Sequence, residues 1–331
     1  MDTRKNNIAI LIRILSYSVL AVTLVFLINN VLTVWHDWPG IKKLYSHYEF
    51  LGFKKLNKPL EPSALNYAFI QFFFYIASII GVILYVFKTN NQNLEKDSKI
   101  LSLISAYIIR SAFWAVFLLG LVDLLISFLA VERLLDVIFN EKIKFLLISP
   151  EFRISYIHFP IIIASFVIGN FTKSVGFIWL AVLVVGSEFT IVLSRFIFSY
   201  EQAFQGDLVR FWYAALFLFA SAYALIHEGH VRVDVLYTRF NEKQKAWTNS
   251  IGSSLLGMPL CLIILFLGMS GKASIINGPV LSYEITQQGS NGLYLVYLMA
   301  VFLAVFAITM LIQFTSYFMG SSYIILKNYK K

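Results

Sequence analysis

The chain has 331 residues, of which 59% are hydrophobic and 14% charged; a soluble domain carries roughly 25% charged residues, so no polar surface exists here to enclose one. The formal net charge of +9 would suit nucleic acid, but the lysines and arginines sit in short runs between apolar segments, where cytoplasmic membrane loops carry them, and nucleic acid is not expected as a partner. The single cysteine, Cys261, lies inside an apolar run, which excludes an intrachain disulfide and a cysteine metal site.

Counted against the ~20 residues needed to cross a bilayer, eight apolar runs qualify: 8–34, 64–87, 101–130, 154–172, 175–199, 211–228, 247–269 and 293–318. The first is apolar but for Arg13 and the asparagines near its end. At ~1.5 Å per residue it reaches ~40 Å, too long for a signal-peptide core, and it predicts a spanning helix. Trp38-Pro39-Gly40, Glu61-Pro62-Ser63, Asn90-Asn91-Gln92-Asn93, Ser149-Pro150-Glu151 and the stretch 287–292 punctuate the runs. Trp35, Trp212, Trp247, Tyr294 and Tyr317 stand near their ends, as interface anchors do. The fold class expected is an all-α integral membrane protein, a bundle of about eight transmembrane helices.

The alternative is seven. Eight helices place Lys42, Lys43, Lys54, Lys55 and Lys58 outside; seven, with 154–172 not spanning, repair that but export Arg4 and Lys5. The run 154–172 carries no acidic or basic residue except His158 and offers no polar face to a headgroup surface. As a helix it would cover ~28 Å, so eight is the expectation. In the second half the bias is clean: Arg232, Arg239, Lys243 and Lys245 fall between the sixth and seventh runs, and Lys327, Lys330 and Lys331 follow the eighth. The intervening loops hold only Arg210 and Lys272. By the positive-inside rule the last four helices have both ends, and the C-terminus, in the cytoplasm.

Four ionisable residues fall inside apolar runs: Arg110 and Asp123 in the third, Glu188 and Arg195 in the fifth. Each costs about 2.5–3.5 kcal/mol at a helix centre on insertion scales, so each should face protein and find a partner. Glu188 and Arg195 share one helix face but lie ~10 Å apart along the axis. The pairings available between helices are Arg110 with Glu188 and Asp123 with Arg195, acting as interhelical glue or as an ion path. Glue is the better reading, because the broken helices and glycine-rich hairpins of a coupled carrier are not evident. His227 and His230 lack a second pair of metal ligands nearby. No nucleophile elbow, phosphate loop or paired-carboxylate arrangement appears, so neither catalysis nor a cofactor is expected.

The most informative segment is His230-Val231-Arg232-Val233-Asp234-Val235-Leu236-Tyr237, which follows an apolar run and precedes a basic stretch. Its alternation is strand-like, yet an isolated strand at a membrane edge would leave its backbone unpaired. Two readings remain: a cytoplasmic turn whose arginines touch acidic lipid, or a docking element in which Arg232 and Asp234 meet a partner membrane protein.

The run from Glu228 to Tyr237 resembles the signature of the DctQ-like small membrane subunit of TRAP (tripartite ATP-independent periplasmic) transporters. Ser194-Arg195-Phe196-Ile197-Phe198 is similar to the arginine-aromatic end of that family's first helix. Asp207-Leu208 followed by Phe211-Trp212-Tyr213 resembles the start of its second, and Gln313 matches a glutamine late in its fourth. The resemblance covers roughly 174–320, is closest to the longer subunits, and leaves 1–173 as an N-terminal membrane extension of three or four helices and 321–331 as a short basic tail. It implies a non-catalytic scaffold in a bacterial inner membrane. Its partners would be a large sodium-coupled membrane subunit and a periplasmic binding protein that delivers an organic acid or similar solute. It also singles out His230, Arg232, Asp234, Arg195, Asp207 and Gln313 as assembly or structural residues. The rival is an autonomous ion-coupled carrier using Arg110, Asp123, Glu188 and Arg195.

Overall fold

A computed structural model describes residues 3–90, 92–172, 177–226, 237–285 and 292–327. Among them are eight helices long and apolar enough to cross a membrane. In chain order they are α1 (Thr3–Trp35), α2 (Pro62–Lys88), α3 (Leu94–Val131) and α4 (Pro150–Phe171), then α5 (Phe177–Phe198), α6 (Ala203–Ile226), α7 (Glu242–Gly268) and α8 (Val296–Lys327). The 154–172 run therefore forms a helix of spanning length, as expected.

Several helices outrun the apolar stretches that announce them. α3 has 38 residues, ~57 Å of helix for a hydrocarbon core of ~30 Å, so both its ends reach into polar surroundings. Asn93 caps its start by accepting from the amide of Lys96 at 2.9 Å, and Glu95 and Asp97 lie in its first turn, where the helix dipole favours anions. α7 begins in a capping box: Asn241 Oδ1 accepts from the Gln244 amide at 2.8 Å and Gln244 Oε1 from the Asn241 amide at 3.0 Å. Short helices, Gly40–His47 and Glu141–Ile148 among them, fill the connections.

Two helices contain a wide turn ahead of a proline. Arg153–His158 in α4 and Gly252–Gly257 in α7 are π-helical, and Pro160 and Pro259 follow at once. A proline has no N–H to give and crowds the carbonyl four residues back; the widened i→i+5 turn absorbs both defects without breaking the helix.

α3 is the hub, packed on α4, α6 and α8. Small residues bring the backbones close, as interfaces within a membrane require. A Cβ at Gly169 of α4 would lie 3.1 Å from the backbone of Ser111, and one at Gly120 of α3 would lie 2.6 Å from Trp212 Nε1 of α6. The same indole donates to the Val116 carbonyl at 3.2 Å. Serines along α3 meet α8: Ser98 and Ser316 hydroxyls are 3.1 Å apart, and Ser105 Oγ donates to the Thr309 carbonyl at 3.1 Å. These registers run α4, α6 and α8 antiparallel to α3. α1 and α2 pair with each other, and α1 also lies on α8. The boundary near 173 is thus not a packing boundary, because a helix of the N-terminal extension occupies the centre of the bundle.

Candidate functional site where four helices end

α3 ends where α4, α6 and α8 begin, and a buried polar cluster fills that junction. Its centre is Asp123, fully buried eight residues before the end of α3. Asp123 Oδ1 accepts from Arg153 Nη1 at 2.9 Å and lies 3.1 Å from His158 Nε2; Oδ2 accepts from the Tyr294 amide at 2.7 Å. A carboxylate can only accept, so the imidazole carries a proton on Nε2; its Nδ1 lies 3.1 Å from the Tyr297 hydroxyl. The arginine cation balances the aspartate anion.

Arg153, also fully buried, donates further to Ser127 Oγ at 3.2 Å and, through Nε, to the Leu147 carbonyl at 3.0 Å. Its guanidinium carbon lies 3.9 Å from the centre of the Tyr294 ring, a cation–π contact in a desolvated setting. The wide turn of α4 makes this possible. In a regular helix, residues five apart would point about 140° away from each other; the i→i+5 turn from Arg153 to His158 aims both at Asp123.

Asp207, in the second turn of α6, completes the junction. Its Oδ2 accepts from the Leu293 amide at 3.1 Å and its Oδ1 lies 3.6 Å from Arg210 Nη1. Two carboxylates from different helices thus hold two successive amides, those of Leu293 and Tyr294, just ahead of α8. Negative charge at that helix start is favoured by the α8 dipole. Ser127 Oγ donates to the Gly292 carbonyl at 3.2 Å, fixing the same approach. Burial raises the Tyr294 phenol above its usual range, with Arg153 opposing the rise in part.

A second buried charge pair stands at the opposite end of the bundle. Arg13 Nε of α1 lies 2.5 Å from Asp97 Oδ2 of α3, with both side chains almost fully buried. The guanidinium also donates to the Thr89 carbonyl at 2.9 Å and to Thr89 Oγ1 at 2.8 Å. It therefore caps the carbonyl end of α2, where a cation is favoured.

The intramembrane charges singled out from the sequence fall differently from the pairings expected of them. Asp123 meets Arg153, not Arg195, because α3 packs on α4 and α8 while Arg195 stands at the exposed end of α5. There Arg195 Nε lies 3.4 Å from Glu201. Arg110 does not meet Glu188 either; it is half-buried beside α4 and donates to the Gly169 carbonyl at 3.4 Å. Glu188 is exposed on α5 and forms no ion pair with a described residue. Gln313 is buried in α8, its Oε1 without a hydrogen-bond partner among the described residues. His227, Glu228, His230, Arg232 and Asp234 lie outside the described residues.

Arg153 and Asp97 were not found by sequence reasoning. Arg153 stands one residue before an apolar run, and Asp97 lies among charges that look like a loop. The usable signal was charge bookkeeping: Arg13 and Asp123 each needed an opposite charge near the matching end of a neighbouring helix.

The family model described as tripartite ATP-independent periplasmic transporters, DctQ component, matches residues 184–317, which take in most of α5, all of α6 and α7, and most of α8. No curated protein and no solved structure matches the chain. Residues 184–317 are a DctQ-like region, in a multi-pass protein of the kind found in bacterial inner membranes. The matching family is a transporter component and not an enzyme family.

Proposed function

We propose, from the DctQ-like character of residues 184–317, that the chain is the small, non-catalytic membrane subunit of a TRAP-type transporter. A periplasmic binding protein delivers an organic acid or similar solute, and a separate large sodium-coupled subunit carries it inward. This chain holds the large subunit at a fixed depth while its moving parts work. The observation that carries the reading is the family match over the last four helices. The geometry is consistent with it: Asp123 and Arg153 are tied to each other and to helix ends, which suits a rigid support. A carrier would need its intramembrane charges free to change partners.

With the C-terminus in the cytoplasm, the start of α8 and the whole Asp123 cluster face the periplasm, the side from which a binding protein arrives. The Arg13–Asp97 pair then lies toward the cytoplasm. The stretch between α6 and α7 is cytoplasmic too, with Arg232 and Asp234 serving assembly there, and its arginines touch acidic lipid. Asp234 gains nothing from such lipid, which is why a protein partner is the better account of the pair.

The test is uptake in liposomes under an inward sodium gradient, with a panel of organic acids. The chain alone should give none; with the large subunit and the binding protein added, uptake should appear. Robust uptake by the chain alone would establish the autonomous-carrier reading instead.

A further inference from the structure

α5 is the most exposed of the eight helices: only 6% of its most apolar stretch is buried, against 44% for α8. Its principal neighbour is α6. Glu188 is the twelfth of its 22 residues, ~15 Å from either end, which is mid-depth in a ~30 Å core. The side chain points out of the bundle and pairs with no described residue. A glutamate is too short to reach either surface from there, and no described residue supplies it with a donor.

The residues around it form a seam. Ala181, Val185, Glu188, Val192 and Arg195 follow one another at steps of four, three, four and three, the spacing that keeps one stripe facing a neighbour in a left-handed helix pair. Val185 and Val192 are 68% and 47% exposed. Small and β-branched side chains on either side of the acid leave a shallow surface that another helix can approach closely.

We propose that this seam of α5 is where a helix of the large membrane subunit docks, presenting an arginine, lysine or amide donor to Glu188 at mid-depth; the inference rests on the scaffold reading above. Lipid does not fill the role, since acyl chains offer no donor. A second copy of the chain does not either. A two-fold axis along the membrane normal sets equal residues at equal depth, so Glu188 would oppose Glu188. Arg195 lies ~10 Å away along the axis and is engaged by Glu201.

The experiment is co-expression with the large subunit, purification through a tag on this chain, and quantification of the captured partner. Glu188→Leu should leave the isolated chain folded and monodisperse, because it replaces a lipid-facing charge with a lipid-compatible side chain, and should reduce capture about tenfold. Glu188→Gln, which keeps a hydrogen-bonding group, should fall between that and the wild type. A photo-crosslinking residue in place of Val192 should form an adduct with the large subunit. Wild-type capture by Glu188→Leu would overturn the docking seam while leaving the scaffold reading intact, as would adducts at 192 with lipid or a second copy alone. If the wild-type chain itself captures no large subunit, the scaffold reading falls and the seam with it.

Discussion

The two buried charge clusters are built alike and do different jobs. Arg13 and Asp97 join α1, α2 and α3, all of them N-terminal to the DctQ-like region. Asp123 and Arg153 also come from N-terminal helices, but the second oxygen of Asp123 reaches across the boundary to the Tyr294 amide, and His158, bound to the first, reaches Tyr297. The first cluster holds the extension together; the second fastens it to the region that carries the family resemblance. An N-terminal addition bound in this way shares the core of the bundle and is not an appendage.

Asp123→Ala should have the largest effect. It strips Arg153, His158 and the Tyr294 amide of their common acceptor, and losing one member of a buried ion pair costs roughly 3–5 kcal/mol. The variant should lose resistance to thermal and detergent unfolding, and the approach to α8 should become protease-sensitive. Unchanged stability would show that the second cluster is not a fastening.

Arg13→Met should cost less, about 3 kcal/mol at the low edge of the same range. The orphaned Asp97 remains in the first turn of α3, where the helix dipole favours its charge. Adding Asp97→Leu should recover part of the loss, because the uncompensated charge goes with it. Proteolysis near α8 should stay at the wild-type level in both variants. If it rises, the two clusters are one cooperative unit and the contrast between them dissolves.

The smallest effect is expected at a third joint between the same two regions. Lys272 Nζ lies 2.5 Å from Asp37 Oδ1, with the two side chains 56% and 78% exposed, and exposed pairs contribute little. The lysine's hydrogen bond, then its charge, holds the Asp37 carboxyl below its usual value. That contribution is present above the ordinary aspartate pKa near ~4 and is lost as pH falls through the lowered one. Asp37→Asn should lower thermal stability at pH 7 only marginally and remove the correspondingly small acid-side slope. A marked loss at pH 7 would mean that exposed contacts also fasten the extension.

The spans were legible in the sequence because twenty-odd apolar residues in a row have one solution in a bilayer. Their ends were not. α6 and α7 begin at Ala203 and Glu242, well ahead of the apolar runs, since charged residues such as Asp207, Lys243 and Lys245 continue a helix into the interface without lowering its stability. Asp207 at the start of a helix was legible through the family resemblance; its grip on the Leu293 amide was not, because the two lie 86 residues apart. The partner of Asp123 was hidden for a local reason. Arg153 lies outside the apolar run, and only the proline-induced wide turn carries it and His158 inward on one face. No periodicity argument assumes an extra residue in a turn.

The positions of the buried charges also set an order of events during synthesis, when the N-terminal part of a chain is made first. Arg13, Asp97, Asp123 and Arg153 all precede residue 172, and Asp123 and Arg153 are only 30 residues apart. Each ion therefore meets its counterion within the first four helices as they leave the translocon, before any DctQ-like helix has been made. What is left over on Asp123 is one oxygen, Oδ2, and it waits through three more helices for the Tyr294 amide. These two ion pairs are closed within the first four helices, while Asp123 Oδ2, His158 Nδ1 and Ser127 Oγ stay open until the approach to α8 and that helix itself engage them.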